Sequence, residues 1–237
     1  MQVISLNTRQ SRIYKSDIVP FRFLSTKLAI DFVTTQFRFR ESAVEGGELV
    51  FVGGSHVPTE QAIIVVNAMS INERRIVIDV AGTTQEADIL FSALRGLLAQ
   101  AENQPRIAIT APLIVSHETE CVAEMEIDWR DLVSDQVAEL VSGPALRASE
   151  GENAGRIAGM ALRFTFAFTA KDASLAENSV SLSDKRFIIE PRTGVALTDH
   201  HFYTASPLDT DSHIRLLEEF EKKLRKRTRR RSLPPAE

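Results

Sequence analysis

A single cysteine, Cys121, stands among 237 residues, so the fold holds together without an internal disulfide or a cysteine-rich metal cluster, and a reducing cytoplasm is the expected compartment. Long apolar runs are missing too. The best candidates, 62–66 and the mixed stretch 107–115, fall well short of the roughly 18 residues that cross a bilayer, so no membrane-spanning segment is expected. The first twenty residues scatter Arg9, Arg12 and Lys15 among polar groups and lack the continuous apolar core of an export signal.

Complete catalytic motifs are also absent. Gly53-Gly54-Ser55-His56-Val57 fails the nucleophile-elbow pattern because Val57 stands where the closing glycine belongs. His117-Glu118-Thr119-Glu120-Cys121 fails the zinc-protease pattern because Cys121 replaces the second histidine. Neither a phosphate-binding Gly-Lys-Ser/Thr loop nor a dinucleotide glycine triplet occurs, and no cofactor is implied.

What is present is an ordinary globular composition, 43% hydrophobic and 25% charged, which excludes disorder throughout. The net charge of −4 conceals a segregation. Between Lys222 and Arg231 lie eight basic residues and no acid; setting them aside leaves 20 Lys and Arg against 32 acids, a remainder of −12.

Periodicity predicts the elements. Residues 1–20 read as an arm, and 27–40 as extended, with Ile30 and Phe32 on one parity and Phe37 and Phe39 on the other. The run 48–52 reads as a strand between the glycine pairs 46–47 and 53–54, with His56 in the loop that follows. Two β-branched runs, 62–69 and 75–80, suit an antiparallel pair. Thr83 to Glu86 has the form of a capping box, and Ala87, Leu90, Phe91, Leu94, Leu97, Leu98 and Ala101 continue it as one apolar helical stripe. Extended structure is expected over 107–127, a second helix over 131–141 and a loop over 148–155. A strand is expected over 160–170, a surface connection over 172–185, and a hairpin from 186–190 to 195–203. A last helix starts near 209–212 with Ile214, Leu217, Phe220 and Leu224 on one side, fraying over 227–231. The sum is an α+β fold: an antiparallel or mixed sheet with about three helices on one side, in two similar-sized halves. The expected division is a body over 1–221, with a sub-boundary near 102–106, and a basic tail over 222–237.

Two constellations carry the functional reading. The first is the basic end, Lys222, Lys223, Arg225, Lys226, Arg227, Arg229, Arg230 and Arg231. On a helix these side chains surround nearly the whole circumference, so they project into solvent or onto a polyanion; the plainer alternative is that they complement the helix dipole and keep an acidic protein soluble. No aromatic residue interleaves them, so base stacking is not supported. The second is an acidic strand, in which Glu118, Glu120, Glu124, Glu126 and Asp128 share one parity and Thr119, Cys121, Ala123, Met125 and Ile127 the other. Carboxylates two residues apart on a strand lie about 6.8 Å from one another and repel by only about 0.6 kcal/mol in water, which a wet face tolerates.

His200 and His201 are neighbours that point to opposite faces of a strand, and a hydrogen-bonded pair at a sheet edge accounts for them more simply than an acid–base pair with Asp199. The preferred expectation is a non-enzymatic binding or adaptor protein that assembles with an anionic macromolecule, nucleic acid or acidic protein, through the basic tail. The tail of one copy could also meet the acidic strand of another in self-association. The alternatives are a metal-assisted hydrolase or nuclease, using the acidic strand with Asp199, His200 or His201, and a structural subunit of a larger complex.

Overall fold

The computed structural model describes residues 1–18, 26–59, 62–102, 111–127, 162–169, 181–195 and 199–231, with the backbone alone at 99–102, 164–169, 181–185 and 226–231. Expectations for 131–141 and 148–155, for Asp128 and for 232–237 lie outside the described residues. Nine strands occur among the described residues: β1 Gln2–Ile13, β2 Glu41–Glu45, β3 Glu48–Thr59, β4 Ala62–Ile71, β5 Arg75–Val80, β6 Ile114–Glu124, β7 Leu162–Thr169, β8 Ser181–Pro191 and β9 His201–Ser206. Three helices accompany them among the described residues: α1 Lys27–Phe37, α2 Thr84–Glu102 and α3 Thr210–Arg231. The hydrogen-bonded strand order is β2-β3-β4-β5-β1-β6-β9-β8-β7, an α+β arrangement dominated by antiparallel sheet. No helix among the described residues is long and apolar enough to cross a membrane.

Two compact units divide the chain. One comprises Ser5–Thr119 and Leu208–Thr210; the other comprises Met1–Ile4, Glu120–Pro207 and Asp211–Glu237. The core of the first is built by Leu49, Phe51, Ile64, Val66, Met69, Ile71, Ile76, Ile78 and Val80 from the strands, together with Val33 and Phe37 of α1 and Leu90, Phe91, Leu94 and Leu98 of α2. The α2 stripe and the β4–β5 pair match expectation, with Ser70 opposite Val77 and Ile71 opposite Ile76. The capping box is also formed. Thr83 Oγ1 accepts from the Glu86 N–H at 3.2 Å, and Glu86 Oε2 accepts from the Thr83 N–H at 2.6 Å. Replacing Glu86 with alanine is expected to cost about 1 kcal/mol in a urea melt, while Glu86→Gln retains most of that stability because an acceptor remains.

Several expectations are corrected. Residues 27–37 form a helix, not a strand: Ala29, Val33 and Phe37 are buried at four-residue intervals, and the Thr26 side chain caps the first turn by accepting from the Ala29 N–H at 3.3 Å. Val33, Thr34, Thr35 and the phenylalanines favour strand locally, and burial of that stripe overrides them.

Most of the expected arm is instead the strand β1, Gln2–Ile13, which pairs with β5 from Thr8 opposite Val80 to Ile13 opposite Arg75. It escaped hydrophobic patterning because two of its buried positions are polar. Thr8 donates to the Gly82 carbonyl at 2.8 Å, and Gln10 Nε2 donates to Asp88 at 3.0 Å.

The strand expected to stop at 52 continues to Thr59. Gly46 and Gly47, with φ of +58° and +84°, make the β2–β3 turn, whereas Gly54 sits inside β3 opposite Val66. A Cβ on Gly54 would lie 2.5 Å from the Phe39 ring, so close packing and not a turn requires that glycine. Residues 181–185 belong to β8 and not to a connection, and the hairpin partner of β8 begins only at His201, with Pro191 opposite Phe202.

Candidate functional site

The basic stretch belongs to α3, which remains helical to Arg231 where fraying was expected from 227. Asp211 in its first turn complements the helix dipole. The face it buries differs from the sequence reading. Its fully or almost fully buried positions are Thr210 at the start and then His213, Leu217 and Glu221, four residues apart, while Ile214, Phe220 and Leu224 flank them half-buried.

Glu221 is an anchor. Its carboxylate accepts from the Glu126 N–H at 2.7 Å and from Arg225 at 3.0 Å, and it pairs with the Met1 amine at 3.2 Å. Burial pushes this carboxyl up, but the Glu126 N–H, the amine and Arg225 outweigh burial and hold it below the usual carboxylate range. Arg225 also reaches Glu126 at 2.7 Å, so one of the eight basic residues is committed to acids within the molecule. Lys222 and Lys223 are exposed; the side chains of Lys226, Arg227, Arg229, Arg230 and Arg231 lie outside the described residues.

The β6 alternation is as read from the sequence. Glu118, Glu120, Glu124 and Glu126 are exposed, Thr119, Cys121, Ala123, Met125 and Ile127 are buried, and Val122 is half-buried. The carboxylates are not all idle. Tyr203 hydrogen-bonds Glu120, and its hydroxyl is pushed up to about 12 by burial first, then by that bond and the charges of Glu120 and Glu190. At neutral pH Tyr203 is therefore a fixed donor to the acidic face. Cys121 is fully buried, and burial raises its thiol, which accounts for it as a small inert core residue. Among the described residues no group of three or more His, Cys, Asp or Glu is placed to hold a metal ion.

The histidines separate into distinct environments. His200 adopts a left-handed conformation with φ of 53°; its Nδ1 lies 3.0 Å from the Ile127 carbonyl, and its own carbonyl accepts from the Met125 N–H at 3.0 Å. It pins a turn rather than sharing a strand with His201, and β9 lies between β6 and β8 rather than at a sheet edge. His56, expected in a loop, is buried in β3 with its ring 5.2 Å from that of Phe37, and burial lowers its pKa. His213, in the first turn of α3, is fully buried.

One cluster was not identified from the sequence. In the first unit Arg12 and Gln10 both donate to the same oxygen of Asp88, while the Arg12 guanidinium lies 4.0 Å from the centre of the Phe91 ring. Burial lowers the pKa of nearby His117, opposed by Asp209 and Asp88 and reinforced by Arg12. Among the described residues Gln10 Oε1, Arg12 Nε and His117 Nδ1 are buried without a hydrogen-bond partner. The alternating polar residues Thr8, Gln10 and Arg12 were the available clue, and they resemble any exposed strand face until their burial is known. Comparison of the sequence with models of known protein families gives no match, and comparison with curated proteins gives none either.

Proposed function

We propose that this chain is a non-enzymatic binding or adaptor protein of a reducing cytoplasm, which engages an anionic macromolecule, foremost a nucleic acid, through the basic end of α3. The observation that carries the reading is the seating of α3: Glu221 and Arg225 are tied to Glu126, while the adjoining Lys222 and Lys223 are exposed. A cationic helix held at its base loses less freedom on binding than a loose tail, so more of each phosphate contact appears as affinity.

The test is a titration of labelled duplex and single-stranded DNA with the full chain. It is compared with a variant in which Lys222, Lys223, Lys226, Arg227, Arg229, Arg230 and Arg231 are all glutamine and Arg225 is kept. Loss of about tenfold or more in affinity at low salt is the expected result, since sequence-independent binding comes from neutralised phosphates. Equal affinity for the two proteins would remove the basic end from the explanation.

A further inference from the structure

Of the buried residues of α3, Thr210, His213, Leu217 and Glu221, two titrate. His213 is 0% exposed, neither ring nitrogen has a hydrogen-bond partner among the described residues, and its ring meets Phe187 edge-on at 6.2 Å between centroids. A neutral imidazole is tolerated there. An imidazolium would bring a charge and two donor N–H groups into surroundings that answer neither. Glu221 has the opposite requirement, because its three contacts, with the Glu126 N–H, Arg225 and the Met1 amine, favour the carboxylate.

Phe187 lies against the ring, and burial alone sets the direction of the His213 pKa, with no charged group adding to it. The buried positions in its unit are Phe187 and Ile189 on β8, Phe202, Thr204 and Ser206 on β9, and Cys121 and Ala123 on β6, with Met125 and Ile127 just beyond it. Among these only the Cys121 thiol titrates, and burial keeps it protonated. On α3 itself Asp211 and Arg215 are exposed, and the next buried acid, Glu221, lies two turns away and is already engaged with Arg225.

We propose that α3 is an acid-released helix, seated by a neutral His213 and an ionised Glu221, and freed together with its basic residues when these side chains take up protons. The inference rests on the binding reading only for what release would deliver. The two groups act in sequence as pH falls. Burial lowers His213 from 6.5 to about 4. Above 6.5 its contribution is complete; between 6.5 and 4 the released form binds a proton that the seated form refuses, so the seated population loses ground. At ten per pKa unit, the ratio of seated to released helix falls by up to roughly 300-fold across that window. Glu221, held below its ordinary value, contributes above about 4.5 and loses that contribution as pH falls further.

The experiment is amide hydrogen exchange on the full chain from pH 7 to 4.5, corrected for intrinsic rates, with the wild type, His213→Leu and Glu221→Gln. In the wild type, peptides of α3 should lose protection by up to about tenfold per pH unit below 6.5, while His213→Leu stays flat to about pH 5. Glu221→Gln should start from weaker protection at pH 7 yet keep the wild-type slope down to pH 5. Wild-type α3 protection independent of pH, or the same slope in His213→Leu, would overturn the proposal. Should His213→Leu not fold, an NMR titration of the wild-type ring decides: a ring that stays neutral to about pH 4 supports the proposal, and one that titrates near 6.5 with α3 still protected contradicts it. No anionic partner is used, so a chain that releases α3 in acid but binds no DNA would contradict the binding function and leave the acid-released helix standing.

Discussion

Phe91→Ala is expected to lower stability by about 3–5 kcal/mol, a large share of the roughly 5–15 kcal/mol that holds an ordinary domain folded. Phe91 is fully buried at the centre of the α2 stripe, so its removal leaves a cavity among Leu90, Leu94 and the strand residues that share its core. It also supports Arg12, whose guanidinium lies 4.0 Å from the ring centre while donating to Asp88. Phe91→Leu separates the two roles. It refills most of the volume and removes the aromatic face, so about 1 kcal/mol should be lost, together with part of the ordering of Arg12. Urea denaturation followed by circular dichroism measures both. A full-size loss in Phe91→Leu would mean that the ring face, rather than its bulk, dominates.

Glu221→Ala should be the next most damaging change, at about 2–4 kcal/mol at pH 7, because it strands the Glu126 N–H and leaves Arg225 and the Met1 amine without their shared carboxylate. Glu126→Ala removes an exposed carboxylate but leaves its backbone N–H on Glu221, so it should cost at most about 1 kcal/mol. The contrast matters more than either value: it distinguishes a buried anchor from a surface ion pair on the same arginine. Comparable losses in both variants would show that Glu221 is not the anchor.

The elements that follow a hydrophobic period were legible from residues alone. The α2 stripe, the β4–β5 pair and the β6 alternation each place apolar side chains where burial wants them, and in each the period survives in the fold. The elements that failed obey other constraints. β1 buries Thr8 and Gln10, whose partners Gly82 and Asp88 lie more than seventy residues away, so no local window could reveal that they are inside. α1 carries β-branched residues that mimic a strand, and only the packing of Val33 and Phe37 into the core decides for helix.

The site divides in the same way. Its two charge blocks were plain in the sequence because they are runs. The device that joins them, Glu221 with Arg225 on Glu126, was not, since a glutamate at the head of a cationic run reads as one more solvated charge. His213 was hidden for the converse reason: nothing in its sequence neighbourhood marks a histidine in a first helical turn as buried, and the strand residue Phe187 found against it does.

The salt dependence of DNA binding by the intact chain tests the central electrostatic claim most directly. With four or five phosphates neutralised by the basic end of α3, log K for duplex DNA should fall against log salt with a slope of about −4, and the slope should collapse toward zero in the seven-residue glutamine variant. A shallow slope in the intact chain, or an equally steep one in the variant, would contradict the account.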